Sequence, residues 1–305
     1  MSNFVEHYNS YRSYLKERFS TPVLKVPING GFSCPNRDGT ISREGCLFCD
    51  NRSFSPAAQN IDSPLEQLKN SIARAEKYSA ILPYLQPFTN TYGSVEYLKS
   101  VYEPLICLPK VVGLAIGTRP DCFNEEIYSY LKDLETRTYL NVELGLQSSH
   151  PETLRRINRG HGWDEFVKCV NELASKNIET VAHIIIGLPG ETPDMIYTTA
   201  RKLASLPLTG IKIHQLMIIK GTPFESWYIS GKAVPLSLPA YAKLVGEVIS
   251  FLNPKQHIHR VLADSRPEYG LIAPLWSAEK LKSLNYIRSY MDKNSIVQGS
   301  KFPRS

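Results

Sequence analysis

No apolar run in this chain approaches the roughly 18 residues of a membrane span, so no membrane partner is expected. The opening stretch, MSNFVEHYNSYRSYLKERFS, mixes charges and tyrosines and lacks the apolar segment and small-residue cleavage site of a secretory signal. Cysteine is sparse for a stapled protein: three of the six lie within sixteen residues, and Cys107, Cys122 and Cys169 are scattered. That is no secreted disulfide framework, and a reducing cytoplasm is the expected compartment. Low-complexity segments are absent. With 305 residues, 42% hydrophobic and 21% charged, the chain has room for one α/β barrel-like domain or two smaller ones.

What is present begins with Cys34-x11-Cys46-x2-Cys49, inside GGFSCPNRDGTISREGCLFCD. Three thiols share one loop with no fourth in register. A cubane iron–sulfur cluster needs four iron ligands, so this spacing suggests a cluster left one ligand short, with a small molecule on the fourth iron. A non-catalytic zinc or iron–sulfur binding module is the competing reading, because Cys46-x2-Cys49 also suits zinc. Against zinc stands the lack of a second close cysteine pair.

Apolar runs recur at Val23 to Ile28, Tyr84 to Phe88, Val111 to Ile116, Asn141 to Leu146, Val181 to Ile186 and Ile211 to Ile218. Amphipathic segments separate them. Continuous rather than alternating apolar strands, interleaved with helices, predict a parallel sheet covered by helices. The fold class expected is α/β, a partial (βα)6 TIM-like barrel with parallel strands, an N-terminal helix within residues 1–20, the barrel over 21–235, and a C-terminal helical, basic extension over 236–305 packed on it. The N-terminal helix is expected from Asn3 to Phe19, and another from Pro239 to Leu252. In barrels of this kind chemistry gathers at the C-terminal ends of the strands. Those ends read GGFSCPN, TNTYGS, GTRPD, GLQSS and GLPGET, and the sixth strand carries His214 and Gln215. Ser149 to Glu152 resembles a capping box, and Thr192-Pro193-Asp194 reads as a helix start.

The ordered series CPNRDGTISREGCLFC, GTRPD, VELGLQSS, NRGH, GLPGET and KGTPF resembles the radical S-adenosylmethionine superfamily, and within it the bacterial YhcC/YtqA type, akin to the catalytic subunit of the elongator complex. The first cysteine gap is eleven where the superfamily commonly has three. Widening one loop adds only a logarithmic closure cost. The resemblance implies a [4Fe-4S] cluster on Cys34, Cys46 and Cys49, with S-adenosyl-L-methionine chelating the open iron. Its reductive cleavage would yield methionine and a 5′-deoxyadenosyl radical that abstracts hydrogen. It also implies Phe48 beside the cofactor and Thr89, Asn90 and Thr91 near the methionine amino group, although the usual Gly-Gly-Glu is missing there. Arg119 or Arg159 would pair with the methionine carboxylate, Gln147 and Ser148 with the ribose hydroxyls, and Gly187 and Gly190 would let backbone approach the adenine. Cys122, just past GTRPD, is the candidate catalytic residue. Glu143 alternates with apolar neighbours and is placed facing the cavity, and His183 and His214 are read as core or cavity residues.

Residues 251–305 hold nine Lys or Arg against four Asp or Glu. A basic end segment suits phosphates. Together with the elongator resemblance it points to tRNA as substrate, at a modified wobble uridine, and to a low-potential electron donor such as flavodoxin or ferredoxin. A small metabolite or a peptide is the alternative substrate.

Overall fold

The computed structural model describes residues 7–263 and 265–303. Seven parallel strands form one curled sheet: β1 (Val23–Ile28), β2 (Ala80–Leu85), β3 (Gly113–Thr118), β4 (Tyr139–Gln147), β5 (Glu179–Ile186), β6 (Gly210–Gln215) and, after an antiparallel two-residue strand β7 (Ile218–Ile219), β8 (His257–Arg260). Neighbours follow chain order throughout, so each strand pairs directly with the next strand of the sheet. The half-barrel has one strand more than the apolar runs predict, and β8 comes from the C-terminal segment. His257-Ile-His-Arg260 carries only one apolar residue, so hydropathy alone misses it. The run at Ile211 to Ile218 divides into β6 and β7, the latter pairing with β9 (Leu271–Ala273). The second strand begins at Ala80, four residues before the expected start.

Helices cover the outer face because their sequences supply both a stripe and a cap. In α4 (Val95–Ile106), Leu98, Val101, Tyr102 and Leu105 recur at helical spacing and are buried, and Ser94 caps the first turn by accepting from the Tyr97 amide. Each such leucine contributes about 1.5–3 kcal/mol on burial. Asn124 caps α5 (Glu125–Arg137) and Thr192 caps α8 (Pro193–Ala204) in the same way. Ser149 caps nothing: α6 (Pro151–Arg156) starts after His150, and the Ser149 hydroxyl bonds Thr199 at 3.0 Å. The helix expected from Pro239 runs Leu238–Phe251.

The first helix, α1 (Tyr11–Phe19), is shorter than expected within the described residues; Asn3 to Glu6 lie outside them. It plugs the sheet's interior. Tyr11 and Leu15 are buried against Leu82, Tyr84, Ala115 and Tyr139, and Tyr11 stacks on His259 of β8 at 3.6 Å. One end of the half-barrel is thereby closed, which leaves the C-terminal ends of the strands as its mouth.

Candidate active site at the barrel mouth

Inward-facing residues above α1 build an ionic layer. Glu143, fully buried on β4, receives His183 Nε2 at 2.7 Å, Lys212 Nζ at 2.7 Å and the Lys25 ammonium, with His259 Nδ1 at 3.5 Å. Burial raises the Glu143 carboxyl, but the Lys212 and Lys25 charges and the histidine contacts outweigh it and hold it well below its usual range. Burial pushes His183 down to about 4 and His259 to about 3, so both imidazoles are neutral at pH 7. Glu143 does face the interior, as its alternation in VELGLQ suggests. Its two lysine partners were visible as charges inside the apolar strands VLKVPI and GIKIHQ, a pattern that calls for a buried counter-ion.

Over this layer lies the cysteine loop, residues 29–50. Cys34 opens a tight turn whose Arg37 and Asp38 amides both donate to its carbonyl, and the Cys49 amide donates to the Cys46 carbonyl at 3.0 Å. The segment Asn158-Arg159-Gly160-His161, after α6, clamps the loop from the far side. Asn158 adopts a left-handed backbone, φ 52°, which asparagine tolerates better than most residues. From there its amide donates to the Gly45 carbonyl at 2.8 Å, while Asn36 donates to the Asn158 carbonyl at 2.7 Å. Asn36 and Arg159 each also direct an N–H at the Cys46 sulfur, at 3.4 and 3.5 Å.

Cys34, Cys46 and Cys49 line one cavity of about 140 Å³ together with Arg37, Arg119, Arg159, Phe48, Thr89 and Gln147. Among the described residues no three His, Cys, Asp or Glu converge on a single-ion site. Three thiols on one cavity suit a polynuclear cluster, in which each sulfur takes a different iron. Burial and the neighbouring Cys46 push the bare Cys49 thiol up to about 11, against the pull of the Arg37 guanidinium. A second cavity of about 180 Å³ adjoins the first, sharing Phe48, Asn51, Tyr84, Gln86, Gln147 and His183.

The remaining expected site residues divide by what they touch. Gln147 lines both cavities from a bulge in β4, with φ 80°, a backbone state that persists only where surroundings impose it and often marks a functional position. Arg119 meets a carboxylate within the chain: its Nε and Nη2 take both Asp121 oxygens at 2.9 and 2.7 Å, and Nη1 holds the Arg159 carbonyl at 2.9 Å. Arg159 has no carboxylate partner among the described residues. Asn90, Thr91, Ser148, Gly187, Gly190 and Cys122 are not among the residues lining either cavity. The Asn90 amide bonds the Leu85, Pro87 and Gly117 carbonyls and so ties β2 to β3. The Thr91 hydroxyl meets Thr118 and the Cys122 carbonyl, each at 2.7 Å, and the Ser148 hydroxyl bonds Glu191. A Cβ on Gly187 would press on Leu236 and one on Gly190 would strike Arg156, so both glycines make room for side chains of the chain itself. Burial pushes the Cys122 thiol up to about 12, which suits a small buried hydrophobe rather than a nucleophile.

Sequence reasoning missed Asn36, Arg37, Asn51, Asp121 and Asn158. Four of these lie in motifs already singled out, Asn36 and Arg37 in CPNRDGTISREGCLFC, Asp121 in GTRPD and Asn158 in NRGH, where a polar residue beside the cysteine or arginine was the available signal.

A seven-stranded parallel half-barrel with a three-cysteine loop over its mouth defines a class of cluster-bearing barrel enzymes. The Radical SAM superfamily model matches residues 34–203 and the Radical_SAM C-terminal domain model matches 208–293, and the chain belongs to the radical S-adenosylmethionine superfamily. It is 39% identical over 307 residues to the Bacillus subtilis protein YtqA, covering 99% of this chain and 95% of that relative. It is 29% identical over 176 residues to the tRNA uridine(34) acetyltransferase of Dehalococcoides mccartyi, covering 56% of this chain and 37% of the relative. Among solved structures, Elp3 of the archaeon Methanocaldococcus infernus superposes with a TM-score of 0.67 at 17% identity over 90% of this chain and 64% of that one, a likeness of fold. The chain is thus a radical S-adenosylmethionine enzyme, with a [4Fe-4S] cluster and S-adenosyl-L-methionine as cofactors. No helix among the described residues is long and apolar enough to cross a membrane.

The clamp on Cys46 carries an expected outcome. Outer contacts of this kind cost about 10–100-fold in metal affinity when removed, so Arg159→Met should release iron at roughly a tenth or less of the chelator concentration that strips the parent chain, followed by loss of visible absorbance.

Proposed function

We propose that this enzyme modifies tRNA, at the side chain of a wobble uridine. In this reading Cys34, Cys46 and Cys49 hold the cluster, and Phe48, Thr89, Gln147 and Arg159 face S-adenosylmethionine. The bound pair supplies reductive sulfonium cleavage and hydrogen-atom abstraction, with electrons from a low-potential donor such as flavodoxin or ferredoxin. The chain's own residues orient and shield. Arg159, whose guanidinium meets the Gly145 carbonyl and the Cys46 sulfur but no carboxylate, is the guanidinium assigned to the methionine carboxylate. Arg119 positions Arg159 through its carbonyl, and α1 closes the floor against solvent.

The observation that carries the reading is the 176-residue similarity to a tRNA uridine(34) acetyltransferase. The basic C-terminal segment adds to it in part. Arg266, Lys282 and Lys301 are engaged by Glu268, Glu279 and Glu247, whereas Lys255, Arg288 and Lys293 are exposed and open to phosphates. Deleting the gene and profiling tRNA nucleosides by mass spectrometry should show one wobble-uridine modification lost and a precursor accumulated. An unchanged profile across growth conditions overturns the tRNA substrate and turns attention to a small metabolite or peptide.

A further inference from the structure

One of the nine cations of the C-terminal segment is half-buried and turns into the barrel mouth. Arg260, at the end of β8, lines the larger cavity. It stands in register with Lys212, which stands in register with His183 of β5, so three adjacent strands present nitrogen-bearing side chains in one row. Arg260 makes no hydrogen bond or ion pair with a described residue. A guanidinium cannot shed its proton, and its five N–H groups require acceptors where water is limited. His214, on the same wall, has a buried Nε2 without a partner. No Asp or Glu is among the described residues of that wall; Glu143, which lines the adjoining cavity, is already shared by Lys25, His183 and Lys212.

We propose that this cavity contains an oxyanion subsite, built by Arg260 with Lys212 and His214, that seats a carboxylate or phosphate group of the substrate. The inference rests on the reading of this mouth as the substrate pocket and adds the charge of what enters it. Arg260 offers the planar fork that binds such groups through paired hydrogen bonds. Lys212, whose Nζ already bonds Glu143 and Tyr84, adds a nitrogen donor to the row, and His214 supplies one further ring nitrogen. Gln147 and Phe48, shared with the cysteine cavity, place the remainder of the substrate toward the cluster side.

The test uses the anaerobically reconstituted full chain, with inorganic phosphate and acetate as probes in thermal unfolding against sodium chloride of equal ionic strength. A saturable rise in Tm is expected, weakened at least tenfold in apparent affinity by Arg260→Gln and partly restored by Arg260→Lys, with all three proteins unfolding alike in chloride alone. A response to phosphate only identifies a phosphate, and to acetate only a carboxylate. No saturable response to either anion, or one undiminished in Arg260→Gln, overturns the subsite. If the anion binds through Arg260 yet does not inhibit substrate-dependent 5′-deoxyadenosine formation, the subsite stands and the reading of this cavity as the substrate pocket falls.

Discussion

Replacing Cys46 by alanine should leave a colourless protein. Each iron of a cubane needs a ligand, and the chain offers three sulfurs in one loop, so losing one leaves two irons unheld by protein. Removal of an outer contact already costs about 10–100-fold in metal affinity, and removal of a direct ligand costs more. Iron in the reconstituted protein should fall from about four per chain to near zero, and S-adenosylmethionine cleavage to background. Cys46 is the sharpest of the three positions because it is buried, receives N–H groups from Asn36 and Arg159, and has its neighbour Leu47 bonded to the Ile157 carbonyl at 3.0 Å. Cys122→Ala is the matched control and should keep full colour and iron. A Cys46→Ala protein retaining four irons, or a Cys122→Ala protein losing them, would reassign the cluster.

Glu143→Leu should destabilise the fold by about 3–5 kcal/mol, the usual cost of removing one partner from a buried ion pair. The leucine fills the space but leaves the Lys25 and Lys212 ammoniums facing each other across the barrel without an anion. Urea titration of the two proteins measures the loss, and a change below 1 kcal/mol would show that the lysines shed their charge in the folded state. The same layer sets a pH dependence. His183 and His259 sit near 4 and 3 when folded against about 6.5 unfolded. Their contribution is therefore complete above about pH 6.5 and is lost as pH falls through their folded values, because the unfolded chain takes up protons that the folded chain refuses. Each histidine adds up to about 1.4 kcal/mol per pH unit over that interval. Glu143, held low when folded, adds a further loss below about pH 4.3, the unfolded carboxyl value. Stability measured from pH 8 downward should stay level to about 6.5 and then fall continuously, and a plateau extending to pH 5 would count against buried neutral histidines.

Both effects begin with residues that the sequence displays and end with partners that it does not. The spacing Cys34-x11-Cys46-x2-Cys49 and the apolar strands ending in GTRPD, GLQSS and GLPGET were sufficient for the barrel class and for the superfamily, because local periodicity and a chelating loop are written over short stretches of chain. Gln147, Thr89 and Arg119 were reachable as strand-end residues, Phe48 from the cysteine motif and Arg159 from NRGH, and the structure does gather them around the cysteines. Asn90, Thr91, Ser148, Gly187, Gly190 and Cys122 were equally plausible by position, and the tertiary structure alone separates them. A residue at the end of a strand can face the mouth, hold the adjacent strand or make room for a helix, and adjacency along the chain does not distinguish these.

What the sequence alone determined is thus the chemistry that the chain can perform, carried by three thiols and the order of its motifs. What only the tertiary structure decided is where charge is left over. Glu143 sits between Lys25 and Lys212, Arg119 is spent on Asp121, and Arg260 enters the cavity from a strand that hydropathy does not reveal. Pairing of charges depends on distances between segments far apart in sequence, and folding alone establishes those distances.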